Sequence, residues 1–203
     1  MEVTVFPLSV TDAIRVSDGS RVFLKEVRRS RWVKDEYDII SFLSSPRLRR
    51  DPDNHTVPIL DVFVSDKDTD ATYLVMPLLR CDHMYHHASG YVNNAIEFVD
   101  QMIKGLHYMH KHGIAHLNID KSNVLMDAEL IYPRGWHPVL HELTEDNKDE
   151  LAPRCSRLRV PVRYYFAGFG LSQRLDPESH SPGIVYLDGR HHRLDIPELS
   201  NRN

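Results

Sequence analysis

The chain has 203 residues, enough for one ordinary domain or two small lobes with a self-sufficient core. A net charge of -4 with both signs interspersed offers no basic surface for nucleic acid or anionic membrane, and two cysteines, Cys81 and Cys155, exclude a disulfide framework or a cysteine metal site. No apolar run reaches the roughly 18 residues of a membrane span, and Met1 to Val10 lacks the pattern of a signal peptide, so a cytoplasmic or nuclear protein without nucleic-acid or membrane partners is expected.

Asp12 to Val27 alternates polar and apolar residues around Ser17-Asp18-Gly19-Ser20, which predicts two antiparallel strands joined by a turn. Lys25 is a lone cation on the second strand, and a solvated strand lysine is the plain expectation for it. Arg31 to Leu43 predicts a helix carrying Glu36, with Trp32, Tyr37, Ile40 and Leu43 along one side, ending before Ser44-Ser45-Pro46. Val57 to Val64 and Ala71 to Met76 read as strands on either side of the acidic turn Ser65 to Asp70, and Pro77 suits a connection leaving the sheet.

The strongest helical signal runs from Val92 to His110. Its apolar residues Val92, Ile96, Val99, Ile103 and Leu106 recur in steps of four and three, widened by Met102 and Met109, and this face is expected to be core. His107 and His110 near its end are expected to interact with the helix dipole rather than a metal. Gly113 predicts the stop, and Val124 to Met126 a short strand. A long insertion, 127–160, has no sustained period and carries Tyr132, Trp136, three prolines and the acidic run Glu145 to Glu150. Loops of that length are functional or mobile. Val162 to Phe166 then predicts a buried strand leading into Gly168-Phe169-Gly170. Thirteen histidines invite a zinc reading, but His141-Glu142-Leu143-Thr144-Glu145 lacks the second histidine of a zinc-protease helix.

The serial order of a strand lysine, a helix glutamate, a strand ending in a connector, a long helix, His116-Leu117-Asn118-Ile119-Asp120-Lys121-Ser122-Asn123 and Ala167-Gly168-Phe169-Gly170-Leu171-Ser172 resembles the protein-kinase superfamily. Val75-Met76-Pro77-Leu78-Leu79, Tyr132-Pro133-Arg134-Gly135-Trp136-His137-Pro138 and the segment from Tyr164 to Ser172 resemble more closely a kinase-like family abundant in mushroom-forming fungi. The resemblance implies an α+β bilobal fold, with a kinase-like N-lobe over 1–79, a small antiparallel sheet and one helix, and a partial C-lobe over 80–203 that ends after the activation segment. It implies that Lys25 holds the ATP phosphates with Glu36 as its ion-pair partner, that Met76 is the gatekeeper, and that Leu78, Leu79 and Leu125 line the adenine site. Asn123 matches a magnesium ligand, and Pro197-Glu198 resembles the end of the activation segment.

The departures concern chemistry. Asn118 stands where the resemblance implies a catalytic aspartate, and a neutral amide is a negligible base. Gly168 stands where it implies the aspartate that binds magnesium, and it offers no oxygen for the ion's octahedral shell. Leu117 replaces an arginine that would receive a phosphorylated activation segment. Asp120 is a candidate displaced base, disfavoured because small misplacements cost heavily. No G-x-G-x-x-G precedes Lys25, and Met1 to Asp12 contains no glycine. The leading expectation is a pseudokinase with a vestigial ATP cleft, weak or absent Mg²⁺ binding, and an unidentified protein partner. The alternatives are an active Ser/Thr-type kinase with an atypical metal site and an unstable truncated fragment.

Overall fold

The computed structural model describes residues 10–28, 34–81, 92–145, 150–157 and 160–175. Val10–Ile14 (β1) and Arg21–Arg28 (β2) form the antiparallel hairpin, with Val10 opposite Lys25 and Ile14 opposite Arg21. Gly19 supplies a left-handed residue at the turn, and Asp18 accepts hydrogen bonds from the Ser20 amide and hydroxyl. Asp61–Val64 (β3) and Ala71–Pro77 (β4) complete one four-stranded sheet in the order β1-β2-β4-β3. The β3 strand is shorter than its apolar pattern predicts. Val57 instead donates its amide to the Phe166 carbonyl, away from that sheet.

Register places Phe23, Lys25 and Val27 beside Met76, Leu74 and Thr72 on one sheet face. Lys34–Leu43 (α1) packs there through Ile39, Ile40 and Leu43, all nearly inaccessible. Tyr37, expected on the packed side, is instead exposed, because Glu36, Ile39, Ile40 and Leu43 define the buried stripe. Trp32, residues 1–9 and Pro197-Glu198 lie outside the described residues.

Val92–Lys111 (α2) is the long helix, followed by Gly113 in the left-handed region. Only part of its apolar stripe reaches the core: Met109 is fully buried and Met102 and Leu106 pack against the buried cluster. Val92, Ile96, Val99 and Ile103 are exposed by 75, 61, 48 and 63%, while the buried side comprises Asn94, Gly105, Tyr108 and Met109. The reason is local: this side meets Tyr164–Phe166 (β7), and the Gln101 amide bridges that backbone by donating to Val162 O at 2.8 Å and accepting from Tyr164 N at 2.9 Å. Gly105 permits the close approach, since a Cβ there would stand 2.6 Å from His55 Cβ. His107 and His110 are exposed.

Ile114–Ala115 (β5) pairs with Gln173–Arg174 (β8), and Val124–Met126 (β6) pairs antiparallel with β7. The insertion is not a loose loop where it is described. Ile131, Tyr132, Trp136 and Ala152 are buried in a second apolar cluster with Met126, Val162 and Tyr164. A few aromatic anchors on tight turns can do this without any helical or strand period. The architecture is the α+β, kinase-like fold that the resemblance implied.

Candidate functional site

Lys25 is not a solvated strand lysine. Its Nζ donates to Glu36 Oε1 across the gap between β2 and α1. Glu36 is only 7% exposed, whereas the Lys25 side chain keeps 26% of its surface, so the pair presents a cation outward over a buried carboxylate. Glu36 also reaches the turn after β7: a Cβ on Gly170 would lie 3.5 Å from its Oε2. That second neighbour carries no polar side chain, and nothing in the sequence pattern signalled it.

The segment after β5 is built around His116, which is 1% exposed. Its Nε2 donates to Ala167 O at 2.9 Å and its Nδ1 accepts from the Asn118 amide at 3.2 Å, so the ring is neutral with the proton on Nε2. Burial lowers its pKa below 6.5, opposed by the bond to Ala167. The His116 ring packs edge-on against fully buried Phe169, with centroids 4.7 Å apart. Leu117 then adopts φ +58°, the only left-handed non-glycine among the described residues. A γ-branched residue in that region is strained.

Asn118, Asn123 and Gly168 come together. The Asn123 amide donates to Asn118 O at 2.9 Å, the Ala167 amide donates to Asn123 O at 2.8 Å, and the Asn118 side chain donates to Gly168 O over a long 3.4 Å. Asn118 thus points a donor at backbone, and no carboxylate takes its place. Asp120 is engaged elsewhere: its Oδ1 accepts from the Ser122 amide and hydroxyl at 2.9 and 2.8 Å, and these bonds lower its pKa. An exposed carboxylate held as a cap for the 3-10 turn Lys121–Asn123 is not a displaced base.

Gly168 has φ +76°, and a Cβ there would stand 2.5 Å from Asn123 Cγ and 2.9 Å from Asn123 Nδ2. The asparagine that could ligate a metal is therefore folded against the position that would supply its partner ligand. Among the described residues no three His, Cys, Asp or Glu side chains converge. The residues present do not fit a magnesium ion bridging phosphates, whose shell needs several oxygen donors in octahedral array.

Met76 is buried at 6% beside Phe23 in register, and Leu78, Leu79 and Leu125 are partly buried along the connector and β6. Two arginines that no sequence motif marks tie β2 and the connector to the insertion. Arg80, 3% exposed, bonds to His141 O and stacks 4.3 Å from the Tyr132 ring centroid. Arg21, at the start of β2, donates to Trp136 O at 2.9 Å and pairs with Glu145 at 3.5 Å.

Comparison with known proteins agrees with the kinase-like fold. The model of the protein kinase domain family matches residues 9–132, more than half of the chain. The chain belongs to that family. This protein kinase domain is 27% identical over 119 residues to NUAK family SNF1-like kinase 2 of Rattus norvegicus, covering 56% of the chain and 18% of the relative. It is 26% identical over 166 residues to cyclin-dependent kinase C-2 C of Arabidopsis thaliana, covering 74% and 24%. It is 30% identical over 132 residues to human mitogen-activated protein kinase 12, covering 60% and 34%. The kinase domain described here thus spans about a third or less of the length of each of these relatives. Among the described residues no helix is long and apolar enough to cross a membrane.

Proposed function

We propose that this protein kinase domain is a pseudokinase: it holds a nucleotide-shaped cleft, acts by binding a protein partner, and transfers phosphoryl groups at a rate near background. The observation that carries the reading is the Asn118–Asn123–Gly168 cluster, in which no carboxylate stands and the Asn123 amide is turned onto backbone. Without a positioned base the chemical step loses roughly 10²- to 10⁴-fold, and without metal charge stabilisation several kcal/mol more, effects that need not add because they act on one transition state.

In this reading the ammonium of Lys25, presented by Glu36, meets the phosphates of ATP. Met76, Leu78, Leu79 and Leu125 contact the adenine, and Asn123 is a metal ligand only in remnant. The partly exposed cation and the partly buried apolar row support the nucleotide; the crowding at Gly168 supports weak or absent Mg²⁺. The lobes divide after Leu79, into 1–79 and 80–203, and the working compartment is cytoplasm or nucleus. The nearer likeness to the fungal kinase-like family belongs to the same proposal, resting on the motifs around Tyr132 and Tyr164.

A second reading, an active kinase with an atypical metal site, is favoured by one observation, the intact Lys25–Glu36 pair. Incubation with labelled ATP and Mg²⁺ or Mn²⁺ separates the two. The pseudokinase reading expects no incorporation above background, together with ATP binding that is unchanged by adding Mg²⁺. Incorporation that disappears in Lys25→Ala would overturn it.

A further inference from the structure

A cavity of about 390 Å³ opens where the end of α1, the segment 44–58 and the start of β7 meet. It shares no lining residue with the Lys25–Glu36 pair or the Asn118–Asn123–Gly168 cluster. Its volume lies within the range of small-molecule sites. Three arginines line it, Arg49, Arg50 and Arg163, against the single acidic residue Asp51. None of the three arginines is in an ion pair among the described residues.

The walls are fixed before any ligand arrives. Buried Asn54 donates to Leu43 O and Leu48 O at 2.9 and 3.0 Å and accepts from the Thr56 amide and hydroxyl at 3.1 and 2.6 Å, which satisfies its whole amide. Arg163 donates through Nη2 to Pro52 O and Asn54 O, both at 3.0 Å, and its guanidinium carbon lies 5.6 Å from the Tyr165 ring centroid. The fork is thereby held against the backbone and the Tyr165 side chain, to which Arg163 also hydrogen-bonds. Ser44 Oγ accepts from Ile59 N at 2.9 Å, so its hydrogen is left to donate.

We propose that this cavity is an anion site for a small phosphate-bearing molecule. Three arginines against one aspartate leave a surplus of two positive charges, the complement of a phosphate dianion, and guanidinium forks pair with phosphate oxygens two at a time. Asn54 and Arg163 are held before binding, so the ordering cost falls on the exposed Arg49 and Arg50.

The test is calorimetric titration of inorganic pyrophosphate into the full chain at constant ionic strength, with the unmodified protein, Lys25→Ala and the double variant Arg49→Ala/Arg50→Ala. Both arginines are exposed, so the double variant is expected to keep its melting temperature. Binding at one site that survives Lys25→Ala and weakens about tenfold or more in the double variant is the expected result. Arg49→Lys/Arg50→Lys, which keeps the charge and loses the fork, should fall between. Absence of binding, or binding lost in Lys25→Ala and retained in the double variant, would overturn the assignment. Tighter binding of a phosphoserine peptide than of pyrophosphate would overturn its small-molecule character.

Discussion

The amide group of Asn123 fills the space that any side chain on Gly168 would need, with Cγ only 2.5 Å from the position of a Cβ. Restoring an aspartate at 168 therefore does more than add a charge. It inserts a side chain at a left-handed residue and against an amide already bonded to Asn118 O. Gly168→Asp is expected to cost about 1–3 kcal/mol, read as a lower denaturant midpoint. The pair Asn118→Asp/Gly168→Asp is expected to stay at background in phosphate incorporation, because Asn123 must first turn away.

Removing the cation of the Lys25–Glu36 pair leaves a carboxylate at 7% exposure without its partner. Lys25→Met should destabilise by about 1–3 kcal/mol, the cost of a buried polar group left unsatisfied. Lys25→Met/Glu36→Gln should recover part of that loss. Chemical denaturation of the two singles and the double gives the coupling directly, and simple additivity would show that the pair does not act as a unit.

Leu117 at φ +58° offers a sign test of backbone strain. Leu117→Gly relieves a left-handed penalty of about 1–2 kcal/mol and gives back part of it in unfolded-chain entropy, so melting should hold or rise slightly. Leu117→Val, β-branched at the same dihedral, should lower it. Equal melting of both variants would remove strain from the account.

Two buried histidines should make the fold acid-sensitive. Burial is the main cause lowering the pKa of His55 and of His116 below 6.5. Between the depressed folded values and 6.5 the unfolded chain binds more protons, so this contribution is complete above 6.5 and is lost as pH falls through the folded values. Melting temperature should drop as pH falls below about 6.5, and the His116 ring resonances should begin to titrate only below that value. A flat profile would contradict the buried, neutral assignment.

Much of the fold was legible because local chemistry and global position coincide in it. Asp18-Gly19 makes the turn, Gly113 stops α2, and β6 runs over Val124–Met126 as its apolar residues predict. The helix face was misread for a physical reason: periodicity identifies an apolar stripe and says nothing of what covers it. The packed side of α2 buries Asn94 and uses Gln101, whose amide bonds to the Val162 and Tyr164 backbone, and Gly105, whose value lies in close approach; hydropathy registers none of these. The candidate site was legible as a set of positions, since Lys25 does meet Glu36 and Asn118 does meet Gly168 and Asn123. The rotation of Asn123 and the reach of Arg21 and Arg80 into the insertion depend on contacts between segments distant in sequence, and no pattern in the chain encodes them.

Met102 packs against both apolar clusters, the one beneath the four-stranded sheet and the one inside the insertion. Heat cannot loosen either without disturbing the thioether that belongs to the other, so the described chain should lose its structure in one step. A single calorimetric peak is the corollary, and truncating this one side chain to alanine should split or broaden it.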